Sequence, residues 1–303
     1  QYWKLESPEQ KNIITNENDA TELIEYLLKE SIEKRLSASD IDVGVLLSGG
    51  LDSSMIVALA KEKFPKLKTY SIGFEDDKEE KGNEFIYSDQ VVKKYKTDHK
   101  KFIIDNTLVL SKLPKAFEAM SEPMVAQDAI AFYMLSELVR KDVKVILSGQ
   151  GADEGFAGYF WYNKINLEKN DHINFLKHYI DRSEDELNEF LNIKFSSNFT
   201  NLMVKNKFRD INAETLLGSV LNFDITTLVV DDPVKRVDNM TMAWGLEARV
   251  PFLDHKLIEA SIKIDPNIHL KRNGKNILKI ISDKLLPKDV ITRNTGIFRW
   301  QEF

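Results

Sequence analysis

The residues from Val43 to Ala60, which read VGVLLSGGLDSSMIVALA, constrain the fold more than any other stretch of the chain. Val43–Leu47 is short and continuously apolar, which is typical of a strand buried on both faces. Glycines and hydroxyl residues follow at once, and apolar residues at helical spacing resume from about Ser53. The stretch therefore predicts a strand, a tight loop and the beginning of a helix.

The loop between them, SGGLDSS, has the chemistry of an anion site. Its glycines let backbone N–H groups approach an anion closely, and its serines add hydroxyl donors. These donors belong to Ser48, Gly49, Gly50, Ser53 and Ser54. The amino end of the following helix also favours phosphate. Asp52 would repel phosphate by itself, but it suits a Mg²⁺ ion lying between its carboxylate and the phosphates.

Two common nucleotide motifs are excluded at this loop. It has neither the G-x-x-x-x-G-K-[ST] spacing of a Walker-type site nor the G-x-G-x-x-G spacing of a dinucleotide site. The sequence therefore predicts a phosphate loop of another kind.

Further strands and helices alternate up to Gln150. Lys68–Phe74, Phe102–Ile104 and Val143–Leu147 read as strands, and Asp128–Lys141 reads as a helix. This alternation predicts an α/β fold with a parallel sheet and right-handed crossovers. We expect a nucleotide core at about residues 41–160, followed by a mostly helical region at about 161–303.

A second glycine-rich loop, SGQGADE at Ser148–Glu154, follows the strand at Val143–Leu147. Ligands of parallel sheets bind beyond the carboxyl ends of the strands. We therefore expect both glycine-rich loops at one edge of the sheet.

Composition narrows the class of protein. The 303 residues carry a formal net charge of −6 and include no cysteine. Disulfides, thiolate metal sites and a cysteine nucleophile in this chain are excluded. The acidic balance argues against a duplex-binding surface, and no apolar run approaches the roughly 20 residues that span a bilayer. We expect a cytoplasmic protein without nucleic-acid or membrane partners, and a homodimer is left open.

The motifs together resemble one family. SGGLDSS resembles the pyrophosphate loop of the ATP pyrophosphatases, which cleave ATP between its α and β phosphates and adenylate a carboxylate or carbonyl. SGQGADEGFAGY, at Ser148–Tyr159, is similar to the second motif of the asparagine synthetase family, SGEGADE-x-F-x-GY. VDNMTMAWGLEARVPFLD, at Val237–Asp254, resembles the block that precedes the family's C-terminal helices.

The resemblance implies the synthetase half of such a protein. The pair Tyr2-Trp3 resembles the end of the family's N-terminal glutaminase domain. We therefore expect residues 1–18 to be a linker from that domain, and residues 19–303 to be the ATP pyrophosphatase domain.

The resemblance also implies roles for individual residues. Mg²⁺ would bind Asp52 and Asp153, and Asp153 would act in catalysis with Gln150 and Arg249. The backbone of four residues would contact the adenosine: Leu47, Ile72, Ser148 and Gly149. The pyrophosphate would lie on Ser48, Gly49, Gly50, Ser53 and Ser54. The residues alone also allow structural roles, with Asp153 as a helix-start acid, Arg249 in an ion pair and Ile72 in the core.

The implied reaction uses ATP and a carboxylate to form an acyl-adenylate and pyrophosphate, after which ammonia forms the amide. Aspartate, which would give asparagine, is the leading substrate assignment, and it rests only on how frequent that substrate is in the family. Glutamine would supply the ammonia through a fused or bound glutaminase domain, because this chain has no cysteine nucleophile.

Two positions depart from the family pattern. Gln150 replaces the glutamate of SGEG, and an amide cannot act as an acid or base. Thr295 stands where R-x-K-x-x-F has its lysine, and the candidates to replace that charge are Lys271, Lys275, Arg293 and Arg299.

These departures keep three alternatives open. In motif detail the chain resembles the N-acetylglutaminylglutamine amidotransferase-like branch, and the first alternative is therefore amidation of another acid. An intramolecular amide-forming ligase resembling β-lactam synthetase is a second alternative, and a catalytically weak ATP-binding module is the third.

Overall fold

A computed structural model describes residues 3–75, 85–122, 128–165, 171–180, 182–191 and 198–293. Its contacts divide the chain into two units. The sheet unit comprises Glu25–Gln150, Asp232–Asp254 and Leu278–Phe303. The helical unit comprises Gln1–Ile24, Gly151–Asp231 and His255–Ile277.

The sheet unit is built on five parallel strands in the order β3-β2-β1-β4-β5. The strands are β1 (Val43–Leu46), β2 (Lys68–Phe74), β3 (Asp98–Ile104), β4 (Val145–Leu147) and β5 (Glu247–Arg249). Register aligns Val45 of β1 with Thr69 of β2 and with Leu147 of β4. The predicted α/β class with a parallel sheet is confirmed.

Helices connect the strands and continue beyond them. The first half of the chain contains α1 (Glu17–Ser37), α2 (Leu51–Lys61), α3 (Phe85–Tyr95), α4 (Asn106–Glu118), α5 (Ala129–Val139) and α6 (Ala152–Gly155). The middle contains α7 (His172–Tyr179), α8 (Glu184–Phe190), α9 (Phe199–Ile211), α10 (Leu216–Phe223), α11 (Val229–Asp231) and α12 (Pro233–Met242). The end contains α13 (His255–Ser261), α14 (Pro266–Leu270), α15 (Asn276–Leu285) and α16 (Lys288–Thr292).

Shorter helical turns complete the elements. They are 3₁₀ turns at Gln10–Asn12, Phe160–Lys164, Pro251–Leu253 and Lys271–Asn273, and a π-helix at Asp224–Leu228.

Strand β5 differs from the sequence reading, which treated the chain after Phe160 as helical. It has only three residues, two of them charged, and it pairs in parallel with β4 through its backbone. Residues this polar carry no strand pattern, because the neighbouring strand and not the side chains determines their conformation. The predicted domain boundaries at residues 18 and 160 stay predictions.

The core of the sheet unit lies on both faces of the central strands. One cluster surrounds Tyr70 and Ile146, both fully buried, and another contains Tyr133 and Met240. Helix α2 is continuously apolar from Met55 to Ala60, and nine of its residues are buried. The core thereby holds β1 and the start of α2 rigidly, which fixes the loop between them.

Within the described ranges, no single helix has both the length and the apolar composition to cross a membrane. One bent pair, Phe199–Ile211 with Leu216–Met242, meets those criteria together by length and composition alone.

Candidate nucleotide-binding site

The junction of β1 and α2 leaves the amino end of a helix without a side-chain cap. Gly50 is the N-cap residue of α2, and among the described residues the helix has no side-chain cap hydrogen bond. The first amides of a helix have no partner within the helix. These N–H groups and the helix dipole therefore remain able to bind an anion.

Gly49 gives this loop its shape. Its φ of +78° lies in the left-handed region, and a Cβ here would lie 2.6 Å from the backbone nitrogen of Ser88. Both the conformation and the close approach require glycine. The chain can therefore turn sharply from β1 into α2 and present its backbone.

Serine hydroxyls brace the loop from within. Ser53 Oγ accepts from the Ser48 amide at 3.2 Å and lies 3.0 Å from Ser48 Oγ. It also donates to the Gly50 carbonyl at 3.3 Å. Ser54 is fully buried, and its Oγ has no hydrogen-bond partner among the described residues. Contacts of these serines with pyrophosphate stay predictions.

The second glycine-rich loop meets the first. A Cβ on Gly149 would lie 3.2 Å from both Asp52 Cβ and the Ser53 amide nitrogen. Ser148, which donates its amide to the Arg249 carbonyl at 2.9 Å, is held at the end of β4. The two loops follow the adjacent strands β1 and β4, so the expectation that they share one sheet edge is confirmed.

Backbone hydrogen bonds of the sheet hold two of the residues that are predicted to contact adenosine. Leu47 donates its amide to the Tyr70 carbonyl at 2.8 Å, and its carbonyl accepts from Ser71 Oγ. Ile72 pairs with Phe102 in the sheet and packs against the core. Gln150 directly follows Gly149 and is partly buried. Adenosine contacts and a catalytic role for Gln150 stay predictions.

Asp153 and Glu154 lie in α6, which begins after Gly151 in a left-handed conformation (φ +91°). Asp153 forms an ion pair with Lys275, with Nζ 2.7 Å from Oδ1. Glu154 is buried and accepts from Tyr159 Oη at 2.6 Å. Burial raises the pKa of the Glu154 carboxyl, while the Tyr159 hydrogen bond opposes that rise.

A second buried carboxyl belongs to the same unit. Asp224 begins the π-helix, and its Oδ2 accepts from Tyr162 Oη at 2.6 Å. Burial raises the pKa of Asp224 to about 8, and the charge of Glu154 adds to that rise.

Arg249 makes structural contacts. Its Nε lies 2.7 Å from Glu247 Oε1, and its remaining nitrogens donate to the carbonyls of Arg35 and Ala38 at 2.5 and 3.2 Å. These contacts tie the end of β5 to the end of α1. They match the ion-pair reading of the sequence, and a catalytic role for Arg249 stays a prediction.

Arg293 lies close to the first loop. Its guanidinium stacks 4.7 Å from the ring centre of Tyr87, and a Cβ on Gly49 would lie 2.8 Å from Tyr87 Cβ. The sequence offered Arg293 as one of several replacements for a missing lysine, without saying where it lies. Thr295 and Arg299 fall outside the described residues.

The donor set suits a metal that arrives with nucleotide. The described residues include no group of three or more His, Cys, Asp or Glu side chains that could hold a metal ion. Mg²⁺ typically takes one or two carboxylates and completes its shell with phosphate oxygens and water. Asp52 at an uncapped helix start, beside backbone donors for phosphate, therefore fits Mg²⁺-nucleotide better than a free metal.

The family comparison agrees with this geometry. Residues 23–299 match the family model described as asparagine synthase. The chain belongs to the asparagine synthase family.

Curated relatives carry the same family name. Asparagine synthetase [glutamine-hydrolyzing] 1 of Bacillus subtilis is 28% identical, over 93% of this chain and 50% of the relative. Asparagine synthetase [glutamine-hydrolyzing] 3 of the same organism is 29% identical, over 96% and 50%. The mouse asparagine synthetase is 26% identical, over 91% and 42%. The chain thus spans about half the length of the curated relatives it matches.

Proposed function

We propose that this chain is the synthetase part of an ATP-dependent amide-forming ligase. The observation that carries the proposal is the uncapped start of α2 at the end of β1, with the Gly149 loop packed against Asp52. Backbone amides, loop serines and the start of a helix follow one another there, which supports the proposal. Such a site favours the triphosphate of a nucleotide.

We further propose Asp52 and Asp153 as ligands of a Mg²⁺ ion that enters with ATP. When bound, the metal would offset the charge that develops on the leaving pyrophosphate. The protein's own contribution is the fixed geometry of the loop, which Ser48 and Ser53 brace through their hydroxyls. Positioning the reacting groups lowers the barrier without further chemistry.

The reaction has two balanced steps. A carboxylate oxygen of the acid attacks the α-phosphorus of ATP, the α–β phosphoanhydride bond breaks, and acyl-AMP and pyrophosphate form. Ammonia then attacks the acyl carbon, loses a proton, and expels AMP as the amide forms. Aspartate is the first candidate acid, because the matched relatives are named asparagine synthetases.

Ammonia would come from glutamine. The relatives are named as glutamine-hydrolysing and are about twice as long as this chain. A glutaminase domain, fused or associated, is therefore the partner that we propose. A cytoplasmic location and the absence of nucleic-acid and membrane partners stay predictions from the sequence.

A second candidate function follows from Gln150. The residue is partly buried and follows Gly149, at the position where the family motif SGEG that the chain resembles has a glutamate. An amide can hydrogen-bond a substrate but cannot exchange a proton with it. This position therefore favours amidation of a different carboxylate as the alternative.

ATP–pyrophosphate exchange with a panel of acids and added Mg²⁺ tests both functions. Exchange with aspartate, and amide formation on adding ammonia, would support the first candidate. Exchange only with another acid would support the second if amide formation needs ammonia, and the intramolecular ligase if it does not. ATP binding without exchange for any acid would contradict the ligase and leave a nucleotide-binding module.

The metal assignment has its own test. We expect Asp52→Asn to weaken Mg-ATP binding by about tenfold or more in calorimetry, the equivalent of about 1.4 kcal/mol. Asp42→Asn is the matched control, because Asp42 precedes the opposite end of β1 and pairs with Lys68 at 3.0 Å. Equal affinities of Asp52→Asn and the wild type would contradict the proposed role of Asp52.

A further inference from the structure

Helix α8, in the helical unit, exposes an apolar stripe. Leu187, Phe190 and the C-cap residue Leu191 are spaced i, i+3 and i+4, so they share one face. They are 37%, 73% and 45% exposed, and in the described chain none of the seven residues of α8 is buried. A capping box of Ser183 and Glu186 defines the start of the helix. The apolar face therefore lacks the tertiary packing that supplies most of the stability of a short helix.

Helix α9 exposes a second stripe, which is apolar in its first half and basic in its second. Phe199 and Leu202 are 69% and 51% exposed, and Lys205 and Arg209 continue the same exposed face toward the end of the helix. The opposite face of α9 reaches the core of the helical unit through Val204, which is 1% exposed. The exposed stripe is therefore not needed to anchor the helix.

One carboxylate joins the starts of the two helices. Glu184 accepts hydrogen bonds from the amides of Asn198 and Thr200, and so lies at the amino end of α9. The two stripes therefore begin at neighbouring points, and together they form what we call the α8–α9 surface. Single exposed apolar side chains are ordinary, but five of them on adjacent elements are typical of an interaction surface.

The charges on the α8–α9 surface are complementary to each other. Helix α8 contains four acidic residues and no basic one, with Glu186 and Glu189 beside its apolar stripe. Helix α9 contains three basic residues and one acidic residue, and two of the basic ones lie on its stripe. The acidic stripe of one copy therefore matches the basic stripe of another, and a twofold axis would form this contact twice.

We propose that the α8–α9 surface docks a second copy of this chain, with the acidic stripe of each copy on the basic stripe of the other. The inference does not depend on the proposed ligase activity. At about 10 Å in width, α9 with a length of about 20 Å and α8 with about 10 Å cover about 300 Å² in projection. A standard interface buries about 800 Å² per partner. The dimer is therefore weak, with a dissociation constant of about 10–100 µM expected in sedimentation equilibrium.

Removing the apolar side chains tests the surface. Phe190→Ser and Leu202→Ser should each weaken the dimer by about tenfold or more, because a few large apolar side chains carry most of the energy of an interface. Leu110→Ser is the matched control, because Leu110 lies on α4 of the sheet unit and is 75% exposed. That variant should dimerise as the wild type does. Circular dichroism of each variant checks that the fold is retained.

An exchange of charges tests which stripe meets which. Glu189→Lys places a cation near the basic stripe of the second copy, and Lys205→Glu places an anion near its acidic stripe. Each change should weaken the dimer by about fivefold, because like charges then face each other. The variant that combines both changes has opposite charges facing again, so its dissociation constant should return to within about twofold of the wild type.

Three outcomes would overturn the proposal. A chain that stays monomeric at about 500 µM would exclude a second copy as the occupant. A dimer that neither Phe190→Ser nor Leu202→Ser weakens would use a different surface. A combined charge variant as weak as the two single variants would contradict the pairing of the α8 stripe with the α9 stripe.

Discussion

The two edges of the parallel sheet differ in how their polar groups are paired. At the carboxyl edge, the loops after β1 and β4 present glycines, hydroxyls and an uncapped helix start. At the amino edge, Asp142 accepts hydrogen bonds from Tyr70 Oη at 2.6 Å and Lys100 Nζ at 2.7 Å. One edge thus presents a helix start without a side-chain cap, and the other has its charges paired within the protein.

The paired polar groups at the amino edge link four strands. Tyr70 belongs to β2 and Lys100 to β3, while Asp142 precedes β4. Lys68 adds ion pairs to Asp142 at 3.5 Å and to Asp42, ahead of β1. A hydrogen-bond donor that is reserved for a ligand has no partner within the protein and adds nothing to the stability of the fold. The paired groups at the amino edge can supply that stability.

The largest expected effect comes from Gly49→Ala at the carboxyl edge. A methyl group would meet the backbone nitrogen of Ser88, which cannot swing aside, and φ would be strained. The loop must therefore open, and Mg-ATP affinity measured by calorimetry should fall by about 100-fold, the equivalent of about 2.8 kcal/mol.

Gly44→Ala in β1 is the matched control for that change. Its Cβ would lie 2.5 Å from Tyr70 Cε2, and the ring is tethered through its hydroxyl to Asp142. Overpacking should lower the free energy of unfolding by about 1–3 kcal/mol. Nucleotide affinity should not change, and a comparable loss of affinity in both variants would break the contrast between the edges.

A smaller effect is expected from Asp142→Asn, which tests the amino edge by pH. Hydrogen bonds from Lys100 and Tyr70 lower the pKa of Asp142 from 3.8 to about 2. Its carboxylate therefore stabilises the fold above pH 4, and that contribution is lost as the pH falls toward 2. At pH 7 the free energy of unfolding of the variant, measured by denaturant titration, should be about 1–2 kcal/mol lower than that of the wild type.

The same titrations at low pH supply the control for Asp142. The difference between the variant and the wild type should shrink as the wild-type carboxyl becomes protonated. A difference that stays constant from pH 7 to pH 3 would show that the charge is not its source.

The sequence predicts the carboxyl edge far better than the amino edge. Glycines and hydroxyls between an apolar strand and a helix form a local pattern, so the loop at Ser48–Ser54 could be interpreted from consecutive residues. The cluster at Asp142 joins four separate segments, and each of its residues alone looks like an ordinary surface charge. Only the register of the strands brings these side chains together.

The same reasoning explains the other differences. Helix α1 begins at Glu17, because Asn16 accepts hydrogen bonds from the amides of Asn18 and Asp19, and no apolar pattern in the sequence marks that residue. The Lys275–Asp153 pair depends on glycines whose close contacts are distant in sequence. A local pattern indicates which residues suit a ligand, but the counter-ions that hold them depend on the tertiary fold.

The smallest expected effect is that of removing one hydroxyl group from the loop at the carboxyl edge. Ser53→Ala removes the oxygen that joins Ser48 to Gly50, so Mg-ATP affinity should fall about three- to tenfold, a net loss of about 0.6–1.4 kcal/mol. Thr69→Val is the counterpart in β2, where Thr69 Oγ1 lies 2.8 Å from Thr97 Oγ1 and 2.9 Å from His99 Nδ1. That variant should lose stability in thermal melts and keep its affinity. If instead Thr69→Val weakened binding as much as Ser53→Ala, both hydroxyls would act through overall stability. That result would contradict a specific role of the loop in nucleotide binding.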